Sequence, residues 1–213
     1  MSVRREATPA SVPAVQRGDT LDVAHLPTYG FGHRSLMWWG TAGMMAIEGT
    51  AFAFMVVIYF YLRALDDSWP RGGGGPALAW GTLNAVLIVL SAIPNTWVDR
   101  CAIDRDLRKV RIGLAAMSAF GLALMAVRAL EFTTLNVRFD ESAYGSVVWM
   151  LMGLHTFNLV TDVADSLVLT VLMFKGPLEG KRFVDVAENA GYWDFVVVAW
   201  LPIYAVVYWA PRF

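Results

Sequence analysis

The sequence predicts an all-α integral membrane protein of five transmembrane helices, with a cytoplasmic N-terminus and an external C-terminus. Three observations carry this reading. The chain of 213 residues is 57% hydrophobic and only 16% charged, too apolar for the surface of a soluble domain of this size. Five separate stretches reach the roughly 20 apolar residues that a helix needs to cross a hydrocarbon core about 30 Å thick. Lysine and arginine are unevenly shared between the connections, twelve on one side and four on the other, and the richer side is cytoplasmic.

The elements follow in order. Residues 1–34 hold Arg4, Arg5, Arg17 and Arg34 and lack the apolar run of a signal peptide. They read as a mobile cytoplasmic tail ahead of a membrane domain over 35–213. The first span covers 35–62 and carries one charge, Glu48. The connection after it contains four consecutive glycines, 72–75, which do not propagate a helix. The second span, 77–98, has no charge. The third, 112–132, carries Arg128 and Glu131 near its end. The fourth covers 142–174, and the fifth covers 189–211 with Asp194 near its start. Trp38, Trp39, Trp97 and Trp193 fall near the inner surface, and Trp69, Trp80, Trp149 and Trp209 near the outer one, as an aromatic belt requires.

Composition also excludes. The net charge of −1 leaves no basic patch for nucleic acid. Cys101 is the sole cysteine, so thiolate clusters and an internal disulfide are ruled out. Of the three histidines, His25, His33 and His155, only His155 lies in an apolar segment. One chain therefore cannot supply a bis-histidine haem site, and no metal site is assigned.

The polar residues inside the spans need explaining. His155, Asn158, Asp162 and Asp165 are spaced 3, 4 and 3. On a helix they share an arc of roughly 80° and rise about 15 Å. Carboxylates facing lipid are costly, so this stripe is expected to face the bundle interior. It suits interhelical hydrogen bonding, proton or ion handling, or a metal site built on His155 with the two aspartates. Glu48, mid-span, is either structural or a proton-handling group. Arg128 and Glu131 are close enough to pair, near the headgroup region. Asp194 reads as a cap or an interfacial residue. Met44, Met45, Met150 and Met152 read as packing residues.

Separated segments then agree on one family. The chain resembles subunit III of the haem-copper (cytochrome c) oxidases, in a divergent five-helix form of bacterial type. The first-span stretch "IEGTAFAFMVVIYFYLR" is similar to the family's buried-glutamate helix, with Glu48 at the glutamate. In "LNAVLIVLS", Leu83, Asn84 and Ser91 match a Leu-Asn-Thr signature and Ala85 departs. Glu131 falls at a family glutamate, and Arg128 stands where glutamine is usual. In "YGSVVWMLMGLHTFNL", Tyr144, Gly145, Ser146, Gly153 and His155 match, while Thr156 and Asn158 replace a glycine and a second histidine. In "YWDFVVVAWLPIYAVVYW", Tyr192, Trp193, Phe195, Trp200 and Tyr208 match, and Asp194 and Val197 depart. Asp162 replaces a small residue and Asp165 is extra.

The resemblance implies two helix groups, spans 1–2 and spans 3–5, around a lipid-filled cleft. It implies a non-catalytic subunit that binds phospholipid and supports assembly, proton uptake and lasting activity of the catalytic subunit I beside it and of the other membrane subunits. Haem and copper belong to that partner, and no activity is expected of this chain alone. The location implied is the bacterial inner membrane. Two other readings share the fold: an accessory protein of a nitric oxide reductase system, and a stand-alone ion-handling or metal-binding membrane protein. The departures add carboxylates, running from Asp194 through Asp165 and Asp162 toward Glu48, and suggest an interior network peculiar to this member.

Overall fold

The computed structural model describes residues 29–70, 74–177 and 179–213. Among them the regular structure is helical throughout, in five long helices: α1 (Leu36–Ala64), α2 (Leu78–Ile103), α3 (Leu107–Phe132), α4 (Ala143–Lys175) and α5 (Gly180–Tyr204). All five are long and apolar enough to cross a membrane. Most of the expected mobile tail, residues 1–28, lies outside the described residues. Its last part forms a short turn at Gly32–Arg34, and the Tyr29 and Phe31 rings flank the Arg105 guanidinium.

Local chemistry sets the helix ends. Ser35 starts α1 by accepting from the Met37 amide at 3.1 Å. Asp106 caps α3 through the Lys109 amide, and Ser142 caps α4 through the Gly145 amide. Each cap satisfies an amide that would otherwise have no intrahelical partner. Gly145 also lets the chain close back on itself. A Cβ there would collide with the Arg138 carbonyl oxygen.

Several helices outrun the apolar stretches. α2 continues to Ile103, α3 begins at Leu107, and α5 begins at Gly180, well before residue 189. Hydropathy marks the part of a helix that lipid touches. The backbone ladder continues into charged turns such as "GKRFVDVAEN" because those residues still support a helix. At the other end, Pro202 interrupts the α5 ladder and a π-helical turn follows at Ala205–Trp209. That turn buries Val206, Val207 and Tyr208.

The packing corrects the expected grouping of spans 1–2 against 3–5. α2 packs against α3 and α5, and α4 against the same two helices. α1 lies on α4 and α5. Polar pairing explains the choice. The Glu48 carboxylate of α1 is held by donors on α4 and α5, whereas the buried polar groups of α2 face α3 and α5. A helix in lipid gains little from apolar contact alone, so these bonds and close packing decide its neighbours. Trp193, Trp200, Tyr59, Tyr144 and Tyr208 are fully enclosed. Leu36, Ile47, Phe54, Val57 and Tyr61 cover the outer face of α1.

Candidate functional site

The polar residues gather in two clusters, one closed and one open. The closed cluster sits where α2, α3, α4 and the end of α5 meet. Its centre is an ion pair: Arg128 Nη1 lies 2.9 Å from Glu131 Oε2, with the side chains 1% and 0% exposed. Asn84 Nδ2 donates to Glu131 Oε2 at 2.8 Å, and the Tyr208 hydroxyl donates to Oε1 at 2.5 Å. Arg128 stacks over the Trp200 ring at 3.8 Å and touches the Met152 sulfur. Its Nη2 lies 3.2 Å from His155 Nδ1, and His155 Nε2 lies 3.0 Å from the Val196 carbonyl.

These partners fix the form of His155. A carbonyl only accepts and a guanidinium only donates. The proton is therefore on Nε2, Nδ1 is an acceptor, and the imidazole is neutral. His155 orients Arg128 and has no lone pair left for a metal. The Arg128–Glu131 pairing agrees with the sequence reading. Its setting differs: the pair is wholly enclosed by protein, because the helix ends converge around it.

The open cluster lines a cavity of about 550 Å³ bounded by α1, α4 and α5. Glu48 Oε2 accepts from the Tyr192 hydroxyl at 2.8 Å and from Asn158 Nδ2 at 3.2 Å. Deeper in chain terms, Asn189 Nδ2 donates to Asp162 Oδ1 at 2.7 Å and to Asp165 Oδ2 at 3.3 Å. Ser166 donates to Asn189 Oδ1 and holds the amide in that sense. Lys181 and Arg182 stand at the α5 end of the cavity, with Met37, Phe157, Val168 and Leu172 on its apolar walls.

The stripe read from the sequence is thus divided three ways. His155 serves the closed cluster, Asn158 holds Glu48, and Asp162 with Asp165 turns to Asn189. Asp165 is exposed rather than interior, because the interior arc of α4 ends where the cavity opens. Asp194 does not join the string toward Glu48. It faces another way, accepting from Asn95 Nδ2 at 2.8 Å in the middle of α5, and it is not a cap. With Asp99 and Glu188 it lines a smaller cavity of about 260 Å³. Among the described residues no three His, Cys, Asp or Glu side chains are arranged to hold a metal. Of the signature positions, Tyr144, Trp193 and Trp200 are core residues, and Gly153 faces outward with open space beside it. Sequence reading missed Asn189 and Asn95. Nothing in their local pattern marks them, since each works through a helix distant in sequence.

A family model described as "Cytochrome c oxidase subunit III" matches residues 64–211. The chain belongs to the cytochrome c oxidase subunit III family. The match covers α2 to α5 and leaves Glu48 of α1 outside it. The chain is similar to the cytochrome c oxidase subunit 3 of Pylaiella littoralis, 25% identical over 174 residues, which are 78% of this chain and 64% of that protein. It is also similar to that of Triticum aestivum, 24% identical over 143 residues, 66% of this chain and 54% of the other. With the protein of Ornithorhynchus anatinus the identity is 24% over 147 residues, 68% and 56% of the two chains. The chain spans between 54% and 64% of the length of these relatives.

Proposed function

We propose that this subunit III family member is a non-catalytic component of a haem-copper respiratory oxidase in aerobic electron transport. In this reading it supports assembly, lipid binding and proton uptake of the catalytic subunit I, and subunit I holds the haems and copper. The family match over α2 to α5 carries the proposal. The internal chemistry supports it. The closed cluster spends each of its ionisable groups on joining helices: Arg128 is tied to Glu131 and His155, and Glu131 to Asn84 and Tyr208. That is scaffold chemistry rather than catalysis.

The open cavity supports the lipid and proton parts of the role. Met37, Met44, Phe157, Val168 and Leu172 give it apolar walls, while Glu48, Asp162, Asp165, Asp185 and Glu188 reach it from three helices. Intramembrane carboxyl groups are costly and are kept where they act on protons or ligands. With the N-terminus cytoplasmic, the cavity opens toward the cytoplasmic side of a bacterial plasma membrane, since it is lined by Met37 of α1, Leu172 of α4 and Lys181 of α5.

The test is depletion of this chain from the purified oxidase. A non-catalytic supporting subunit leaves the first turnovers near normal and shortens the time for which activity lasts. Immediate loss of the haem spectrum or of all turnover would place a catalytic group in this chain and overturn the proposal.

A further inference from the structure

The smaller cavity, of about 260 Å³, lies where the start of α1 meets α2 and α5. Three carboxylates line it, Asp99 of α2 with Glu188 and Asp194 of α5, and no lysine, arginine or histidine is among its lining residues. Glu188 is only 9% exposed, and among the described residues it has neither a hydrogen bond nor an ion pair. Its oxygens are not sealed in protein as Asp162 Oδ2 is, so they face open space. The charge of Asp99 acts on Glu188, and that of Asp194 acts on Asp99, so the three acids are neighbours. Asp99 also has no hydrogen-bond donor, and Asp194 has one, from Asn95. The nearby cations are placed elsewhere: Arg100 is exposed, Arg105 lies against the Tyr29 and Phe31 rings, and Arg182 reaches Asp185. A buried carboxylate with no donor is expensive.

What the cavity lacks is positive charge carried on N–H donors. We propose that it is a binding site for a soluble aliphatic diamine or polyamine. One protonated amine donates to Glu188 and another to Asp99. The rings of Trp38 and Phe31 in the wall attract an ammonium group, and Met45 and Ile103 meet the methylenes between the amines. A primary ammonium has three donors, which is what Glu188 is missing. A quaternary ammonium has the charge and no donor. A single amine leaves two of the three carboxylates unmatched, so the ligand carries at least two. A divalent metal ion does not suit the site. Among the described residues no three acidic side chains converge on one point, and the cavity is several times the roughly 30 Å³ share of one water molecule. This inference goes beyond the accessory-subunit reading and does not rest on it.

The test is calorimetric titration of the full chain in mild detergent with putrescine, spermidine, tetramethylammonium and magnesium ion. Putrescine and spermidine are expected to saturate one site per chain, at least about tenfold tighter than tetramethylammonium, the scale of one charge-assisted hydrogen bond. Asp99→Asn is expected to weaken the diamine about tenfold on the same scale. Asp104→Asn removes an equal charge from the exposed end of α2, outside the cavity, and is expected to leave the affinity unchanged. No saturable binding of either amine by the wild type would overturn the proposal and leave protons as what neutralises the three acids. Tetramethylammonium or magnesium binding as tightly as putrescine would overturn it as well, and these comparisons need no variant to fold. Equal weakening by Asp99→Asn and Asp104→Asn would reduce the effect to general attraction and sink the site. The same titration of the assembled complex is expected to find the same site, and its loss there would hand the cavity to a lysine or arginine of a partner and overturn the soluble ligand.

Discussion

Glu131→Gln is nearly isosteric, so it removes a charge and leaves almost no cavity. Arg128 then keeps only neutral partners, His155, Met152 and the Trp200 ring, at 1% exposure. Leaving a buried charge without its counter-ion costs about 3–5 kcal/mol. If Glu131 were merely one more neutral hydrogen-bonding group, its loss would cost about 0.6 kcal/mol and at most about 1.7, the range for polar contacts between membrane helices. The two ranges do not overlap, so the measurement discriminates. Reversible unfolding in mixed micelles, followed by the fluorescence of the nine tryptophans, gives the free energy. The expected loss is at least about 3 kcal/mol. Adding Arg128→Met removes the stranded charge as well and recovers most of that loss. A single-variant loss below about 1 kcal/mol, or a double variant no better than the single, would refute the ion-pair account of the closed cluster.

Other outcomes follow from other contacts. Tyr192→Phe removes the shorter of the two donors to Glu48 and is expected to cost about 0.6–1.7 kcal/mol in the same unfolding assay. Gly81→Ala places a methyl group against the Tyr208 ring and displaces the hydroxyl from Glu131. It is expected to cost about 1–3 kcal/mol, and Gly81→Ala combined with Tyr208→Phe is expected to cost less than the sum of the two. At the start of α3, the side-chain bond from Lys109 and the amide of the same residue hold the Asp106 carboxyl below its usual 3.8. A depressed carboxyl contributes stability above its unfolded value and loses it as pH falls through the folded one. Protection of the amides in the first turn of α3, taken relative to the intrinsic exchange rate at each pH, is therefore expected to fall as pH drops below 3.8. Asp106→Asn, which keeps a capping oxygen, abolishes that pH dependence.

The spans were legible because lipid leaves a one-dimensional record. Most residues that meet the hydrocarbon are apolar, and the loops carry most of the charge. Helix ends beyond the lipid leave no such record, which is why the nine residues before Asn189 read as a connection and fold as helix. The Arg128–Glu131 pair was legible from its spacing on one helix. Its enclosure was not, because Asn84, Tyr208 and His155 arrive from other helices. The stripe on α4 was legible as a stripe. Its division among three partners was not, since an arc of roughly 80° spans more than one helix interface. The grouping of the helices failed for the same reason. Which helix Glu48 pairs with depends on donors at Asn158 and Tyr192, more than a hundred residues away in sequence.

The most direct test of the central claim is gentle-detergent isolation of the tagged full chain, followed by a reduced-minus-oxidised absorption spectrum and identification of what travels with it. A non-catalytic subunit of a haem-copper oxidase brings haem bands and a catalytic oxidase subunit with it. A haem-free protein that elutes alone from membranes shown to contain an active oxidase would contradict the account.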